Sequence, residues 1–199
     1  MRDFAVGAGG GPEGRWNMVA DMLVGLCGTW GLAGSLTWSF ARTRRAMLVV
    51  QISTAPGFFL HWALQGHWTA AGLNVLTMML ALISVALDGP PDSRGVRVAR
   101  SLYVFALLPV AALTAWSWEG WHSLFAATGT AIACCGRWQT DKTRFRALIL
   151  ACSVPWFAHN LTVGSVPAMA ADLFLMGRGG WLALRGRVPA WRMAAAPAS

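Results

Sequence analysis

The sequence predicts an all-α integral membrane protein with seven transmembrane helices, arranged as two parallel three-helix-bundle repeats joined by a linker helix. Three observations predict it: apolar segments of membrane-spanning length recur along the chain, basic residues gather on alternate connections, and one constant shift pairs residues of the two halves. Composition agrees, since 56% of the 199 residues are hydrophobic and only 12% are charged. The mean hydropathy is +0.49.

The apolar segments run over residues 18–41, 46–64, 68–87, 98–116, 120–136, 147–163 and 167–184. Each is long enough to cross a hydrocarbon core of about 30 Å at about 1.5 Å per helical residue. Domain boundaries follow from these segments. A flexible outer tail is expected over 1–17, a first bundle over 18–88, a cytoplasmic loop and linker helix over 89–117, a second bundle over 118–187 and a flexible cytoplasmic tail over 188–199. The first segment begins after the glycine-rich stretch VGAGGGPEG and not after a short basic region, so it reads as a retained span and not as a cleaved signal.

A net charge of +8 would suggest nucleic acid in a soluble chain, so the position of the sixteen basic residues decides the reading. Arg42, Arg44 and Arg45 follow the first span, Arg94, Arg97 and Arg100 the third, Arg137, Lys142, Arg144 and Arg146 the fifth, and Arg185, Arg187 and Arg192 the seventh. The connections near Gly66, Trp118 and Ser165 carry none. By the positive-inside rule the N-terminus lies outside and the C-terminus in the cytoplasm. The basic balance is then a matter of orientation, and no nucleic-acid partner is expected; the partner is the lipid bilayer.

Tryptophans mark the same frame, because indoles favour the headgroup level. Trp16, Trp62, Trp68, Trp116, Trp118 and Trp121 fall at outer ends, Trp38, Trp138 and Trp191 at inner ends, and Trp30 and Trp156 mid-span. The two mid-span indoles read as packing residues, with cavity lining as the alternative. Cys27, Cys134, Cys135 and Cys152 lie in or at the ends of spans without metal-ligand spacing, and read as small apolar residues. Neither a metal nor another cofactor is expected.

A shift of 98 residues carries His61 to His159, Phe59 to Phe157, Gly66 to Gly164, Ala70 to Ala168 and Asn74 to Asp172. It also pairs Asp21 with Glu119, Gly31 with Gly129, Ala33 with Ala131 and Arg44 with Lys142. Pro56 and Pro155 fall one residue out of step. The shift lays spans one to three on five to seven with every charged loop on the same side, which makes the repeat parallel about an axis along the membrane normal.

The residues GFFLHWALQGHWTAAGLN in the first half and WFAHNLTVGSVPAMAADLFLMGRGG in the second are similar to those of YgjV-type bacterial inner-membrane proteins, over about residues 22 to 187. The three-plus-one-plus-three order resembles the SWEET and PQ-loop architecture, whose members include transporters. That resemblance implies a bacterial inner-membrane location and a solute path between two bundles. The chain departs from the pattern in having no Pro-Gln dipeptide and in placing its prolines in the second helix of each bundle, so sugar selectivity is not carried over. Asn74 resembles the polar third-helix residue that SWEET proteins present to solute, and Asp172 is its counterpart.

Counting from the outer turns, His61 lies about 8 Å deep and Asn74 about 12 Å, and His159 and Asp172 lie at matching depths about Gly164. Polar side chains at such depths usually face a bundle interior or a cavity. His61, Asn74, His159 and Asp172 are therefore the candidate solute- or proton-binding residues. His61 beside neutral Asn74 reads as a hairpin clasp, whereas His159 beside Asp172 reads as one ionisable unit. Trp30, Trp156, Asn160 and Arg178 are candidate cavity residues, with snorkelling to the cytoplasmic headgroups as the other reading of Arg178. Pro56 and Pro155 are candidate hinges. Gly25, Gly28, Gly31 and Gly34 in the first span read as a close-packing face within its own bundle, with homo-oligomer contact as the alternative.

No nucleophile-and-base pair, HExxH or phosphate-binding loop is present, so no catalysis is expected. Two functions remain: a small-solute or proton-linked facilitator, or a non-transporting membrane protein that binds lipid or a protein partner.

Overall fold

The computed structural model describes residues 12–90 and 92–184, with side chains from residue 17 onward except Ala183. The described residues form nine helices: α1 (Pro12–Trp38), α2 (Arg44–Leu64), α3 (Trp68–Ala86), α4 (Arg94–Val104), α5 (Leu107–Trp116), α6 (His122–Trp138), α7 (Lys142–Ala151), α8 (Ser153–Val163) and α9 (Val166–Leu184). Each expected apolar segment falls on one helix or on two consecutive ones. Polar residues extend several of them: α1 starts at Pro12, inside the expected tail, α4 at Arg94 and α7 at Lys142. The remaining tail residues, 1–11 and 185–199, lie outside the described residues, as do Arg2, Arg185, Arg187, Trp191 and Arg192.

Local chemistry sets these boundaries. The side chains of Thr43, Ser93 and Asp141 accept the amides of Ala46, Val96 and Arg144, capping α2, α4 and α7 at their N-termini. Gly66 and Gly164 adopt φ of 81° and 72° and reverse the chain between α2 and α3 and between α8 and α9, a conformation that disfavours a Cβ. Proline explains both interruptions within apolar segments. Its ring excludes the carbonyl four residues earlier, and the α4–α5 break falls at Phe105 before Pro109 while α7 ends at Ala151 before Pro155. The first break bends the chain by 43°. Pro56, in contrast, sits inside the unbroken α2.

Among the described residues, three helices are long and apolar enough to cross a bilayer: Asn17–Trp38 of α1, α2 and α3. The bent pair α4–α5 makes a fourth if it is one span. The side-chain distribution is that of a protein solvated by lipid. Met18, Met22, Leu26 and Trp30 form an exposed i, i+4 ridge on α1, while His61, Thr69, Ser84, Thr130, His159 and Asn160 are buried.

α1 lies along α2, and its glycines make this possible. A Cβ at Gly31 would come within 2.5 Å of Phe58, and one at Gly34 within 2.2 Å of Thr54. Gly28 faces His61 in the same way, whereas Gly25 faces open space. Three glycines of the stripe are thus used within the hairpin. The third helix, α3, packs on α2 and α6, and α9 packs on α8 and α1. The two groups of helices meet mainly through two contacts, α3 on α6 and α1 on α9, with a smaller one of α2 on α7 and the α4–α5 pair against α3 and α6.

Candidate functional site

Where these two contacts leave space, the interior holds a cavity of two overlapping lobes, each ≈ 130 Å³. Both lobes are lined by Ser35, Phe58, Asn74, Thr77, Arg137, Cys152 and Asp172; Trp62, Trp156 and Asn160 complete one, and Gln51 and Thr54 the other. Position along α2 gives the vertical order. Taking Arg44 as the inner end, Gln51 stands about 10 Å above it, Phe58 about 21 Å and Trp62 about 27 Å. The polar lining thus lies along the middle of α2, between two closures.

The closure at the Trp62 end is aromatic. Trp62 stacks on Phe58 at 5.1 Å and on Trp156 at 5.2 Å between ring centroids, so one indole from each half meets over the cavity. At the Arg44 end, just outside the cavity lining, the bundle is closed by a buried guanidinium. Arg44 donates from Nε to the Gln139 carbonyl at 2.8 Å, from Nη2 to the Arg137 carbonyl at 2.9 Å and from Nη1 to the Ser84 carbonyl at 3.1 Å, and pairs with Asp88. Two of those carbonyls belong to the last turn and C-cap of α6, where no intrahelical donor remains, so Arg44 supplies charge and donors together.

Arg137 rises from the end of α6 into the cavity floor. It is 5% exposed, and its side chain donates from Nη2 to Gln51 Oε1 at 2.9 Å. Its Nε and Nη1 are buried without hydrogen-bond partners, and so are Gln51 Nε2, Thr77 Oγ1, Asn74 Oδ1, Asn160 Oδ1 and Trp62 Nε1 around the same space. Among the described residues, no carboxylate lies within ion-pair distance of Arg137. Asp172, on α9, lines the same space and accepts a hydrogen bond at 2.8 Å from Asn160 Nδ2. Buried polar groups are normally satisfied, so this concentration of unmatched donors and acceptors marks a site.

The four residues expected to form one ring divide into two pairs. Asn74 and Asp172 line the cavity, as do Trp156 and Asn160. His61 and His159 instead each hold a carbonyl 37 residues earlier: Nδ1 of His61 donates to Val24 at 2.9 Å and Nδ1 of His159 to His122 at 3.1 Å. The carbonyl fixes the proton on Nδ1, so Nε2 of a neutral His61 accepts from Ser165 Oγ at 2.8 Å. The expected pairing of His159 with Asp172 gives way to Asn160 with Asp172. Consecutive helical residues point about 100° apart, and Asn160, one residue on, faces α9. Trp30 is on the exposed ridge, 45% accessible, away from the cavity. Arg178 lies in an unbroken α9 with its guanidinium over the Phe40 ring at 4.6 Å and the Trp181 ring at 5.0 Å, and it is not among the lining residues.

Arg44 and Arg137 are the residues that sequence reasoning misplaced. Both count as cytoplasmic loop charges by position, yet both are buried within helices. The preceding run Ala133–Cys134–Cys135–Gly136 ends the expected span one residue before Arg137, and nothing in it signals that the arginine folds inward.

Residues 23–179 match the family Imp-YgjV, described as a bacterial inner membrane protein. The chain belongs to the YgjV family of bacterial inner membrane proteins. It is accordingly a multi-pass protein of the bacterial inner membrane. No curated protein and no solved structure matches it. Every cavity-lining residue, from Ser35 to Leu175, falls inside the YgjV match, as do both closures. Among the described residues of this YgjV-family chain, no three His, Cys, Asp or Glu side chains converge as metal ligands.

Proposed function

We propose that this protein is a facilitator for a small polar solute, which crosses the membrane through the cavity between two three-helix units. In this reading α4–α5 is a linker span, α7–α8 acts as one broken span, and seven spans run from an outside N-terminus to a cytoplasmic C-terminus. The arrangement would be SWEET-like in order without the PQ-loop signature. The observation that carries the proposal is the cavity itself, lined by polar and apolar residues of both halves, with the Trp62–Trp156 stack at one end and the Arg44 hydrogen bonds just beyond the other.

Equivalent positions in the two halves support a duplicated design. The capping pair Thr43 and Asp141, the left-handed Gly66 and Gly164, and the carbonyl-bound His61 and His159 are each separated by 98 residues. The same holds for the close approaches of Gly31 to Phe58 and Gly129 to Trp156. A solute leaving inward has to break the Arg44 contacts, and one leaving outward has to part Trp62 from Trp156. Closing each side in turn lets a solute pass without an open pore. Pro155, beside the α7–α8 break, is a natural point for such movement, and Pro56 in continuous α2 is a weaker one.

Uptake into liposomes tests the proposal: sugars, amino acids and organic acids are screened with and without a pH gradient, against protein-free vesicles. Entry of one class above the control is expected, and a proton dependence lost in Asp172→Asn identifies Asp172 as the coupling group. Uptake of none would leave the non-transporting reading. One feature favours that alternative, an apolar groove of ≈ 270 Å³ between the α4–α5 break and α6, lined by Tyr103, Leu107, Cys134 and Trp138 and shaped for a lipid chain.

A further inference from the structure

We infer that the cavity binds a small zwitterion, an amino carboxylate of the size of alanine, with its carboxylate on Arg137 and its ammonium at Asp172. This deepens the facilitator reading and rests on it for the direction of movement, though not for binding.

The polarity of the lining is the basis. On the inner side Arg137 presents Nε and Nη1, and Gln51 presents Nε2, all buried donors without acceptors. A guanidinium keeps its charge, and a buried one without a counter-ion is strongly disfavoured, so its natural complement is an anionic group with two oxygens. Across the cavity Asp172 shares it with Asn74 Oδ1 and Asn160 Oδ1, buried acceptors without donors. One carboxylate and two amide oxygens match a three-donor ammonium. A purely anionic solute would satisfy the floor and leave Asp172 and the two amide oxygens without a donor; a purely cationic one would meet repulsion at Arg137. A neutral sugar would leave the guanidinium without a counter-ion.

Size narrows the class further. An apolar cavity of about 150 Å³ holds benzene, so the lobe of ≈ 130 Å³ that Arg137, Asn74, Asn160 and Asp172 line together admits about six non-hydrogen atoms. Alanine has that number. Phe58 and Trp156 offer the apolar wall against which a methyl group rests.

Calorimetry on the full chain in nanodiscs tests this with three probes: alanine, propionate and ethylammonium. The wild type is expected to bind alanine about tenfold to a hundredfold more tightly than either half-probe, the range of one lost charge-assisted interaction. Asp172→Asn retains an acceptor for Asn160 and should bring propionate level with alanine, and Arg137→Gln should weaken alanine by a similar factor. Where Arg137→Gln fails to fold, Asp172→Asn decides alone. Propionate or ethylammonium binding the wild type as tightly as alanine would overturn the inference, as would the absence of alanine binding or an Asp172→Asn variant that still prefers alanine. Vesicle uptake separates this from the broader reading. Glycerol entry without alanine binding removes the zwitterion site and keeps a facilitator, whereas alanine binding without uptake of any solute keeps the site and removes the facilitator.

Discussion

Replacing Arg44 with alanine should both destabilise the protein and open its cavity to the cytoplasm. Arg44 is 5% exposed and satisfies the carbonyls of Ser84, Arg137 and Gln139 together with the Asp88 carboxylate. A hydrogen bond to a charged group contributes about 1.5 to 3 kcal/mol, and removing one partner of a buried ion pair costs about 3 to 5 kcal/mol. Four such bonds would sum to more, but Asp88 is 28% exposed and is rehydrated when freed. A loss of about 3 to 5 kcal/mol is therefore expected, read from unfolding titrations in mixed micelles. The second readout is Cys152, which lines the cavity. With Cys27, Cys134 and Cys135 replaced by alanine, a membrane-impermeant thiol reagent applied to inside-out vesicles should label Cys152 much faster in Arg44→Ala than in the parent. A loss below about 1 kcal/mol, typical of an exposed ion pair, together with unchanged labelling would refute the closure at Arg44.

His61→Leu removes bonds to both Val24 and Ser165, whereas His159→Leu removes the one to His122. The first should cost about 1 to 3 kcal/mol and the second less, and equal melting shifts would contradict the clasp. Gly34→Val drives a side chain into Thr54, where overpacking costs about 1 to 3 kcal/mol, while Gly25→Ala faces open space and should leave the unfolding midpoint unchanged. Reporter fusions should place residues near Trp118 outside and near Lys142 inside; a cytoplasmic Trp118 would reverse the orientation.

Helix positions were legible because bilayer length and hydropathy act locally. The turns at Gly66 and Gly164 and the apolar segments all depend on residues within a few places of one another. Whereas Trp156 reads first as a packing residue, the inward position of Asn74, Asp172 and Asn160 was legible too, since a polar group at mid-span has few other places to go. Which of them touch was not. His159 and Asn160 are adjacent in sequence and equally deep, and only their helical phase relative to α9 gives Asp172 to Asn160. Arg137 carried the wrong signal, because a basic residue at a span end normally marks the cytoplasmic face. Here its long side chain turns inward to Gln51, a partner 86 residues away. Arg44 likewise satisfies carbonyls more than 90 residues on, at Arg137 and Gln139. Such pairings follow from the packing of α2 against α3 and α7, which no local pattern encodes.

The central claim is that solute passes through the cavity between the halves, and Cys152 offers the most direct measurement of it. In vesicles containing the protein with Cys152 as its sole cysteine, uptake of the solute found in the screen is followed before and after a methanethiosulfonate reagent is driven to completion, and again after reduction. The account predicts that uptake falls to the level of protein-free vesicles on modification and returns on reduction, because the attached group fills one lobe of ≈ 130 Å³. Undiminished uptake by protein that mass spectrometry shows to be fully modified would place the path elsewhere and contradict it.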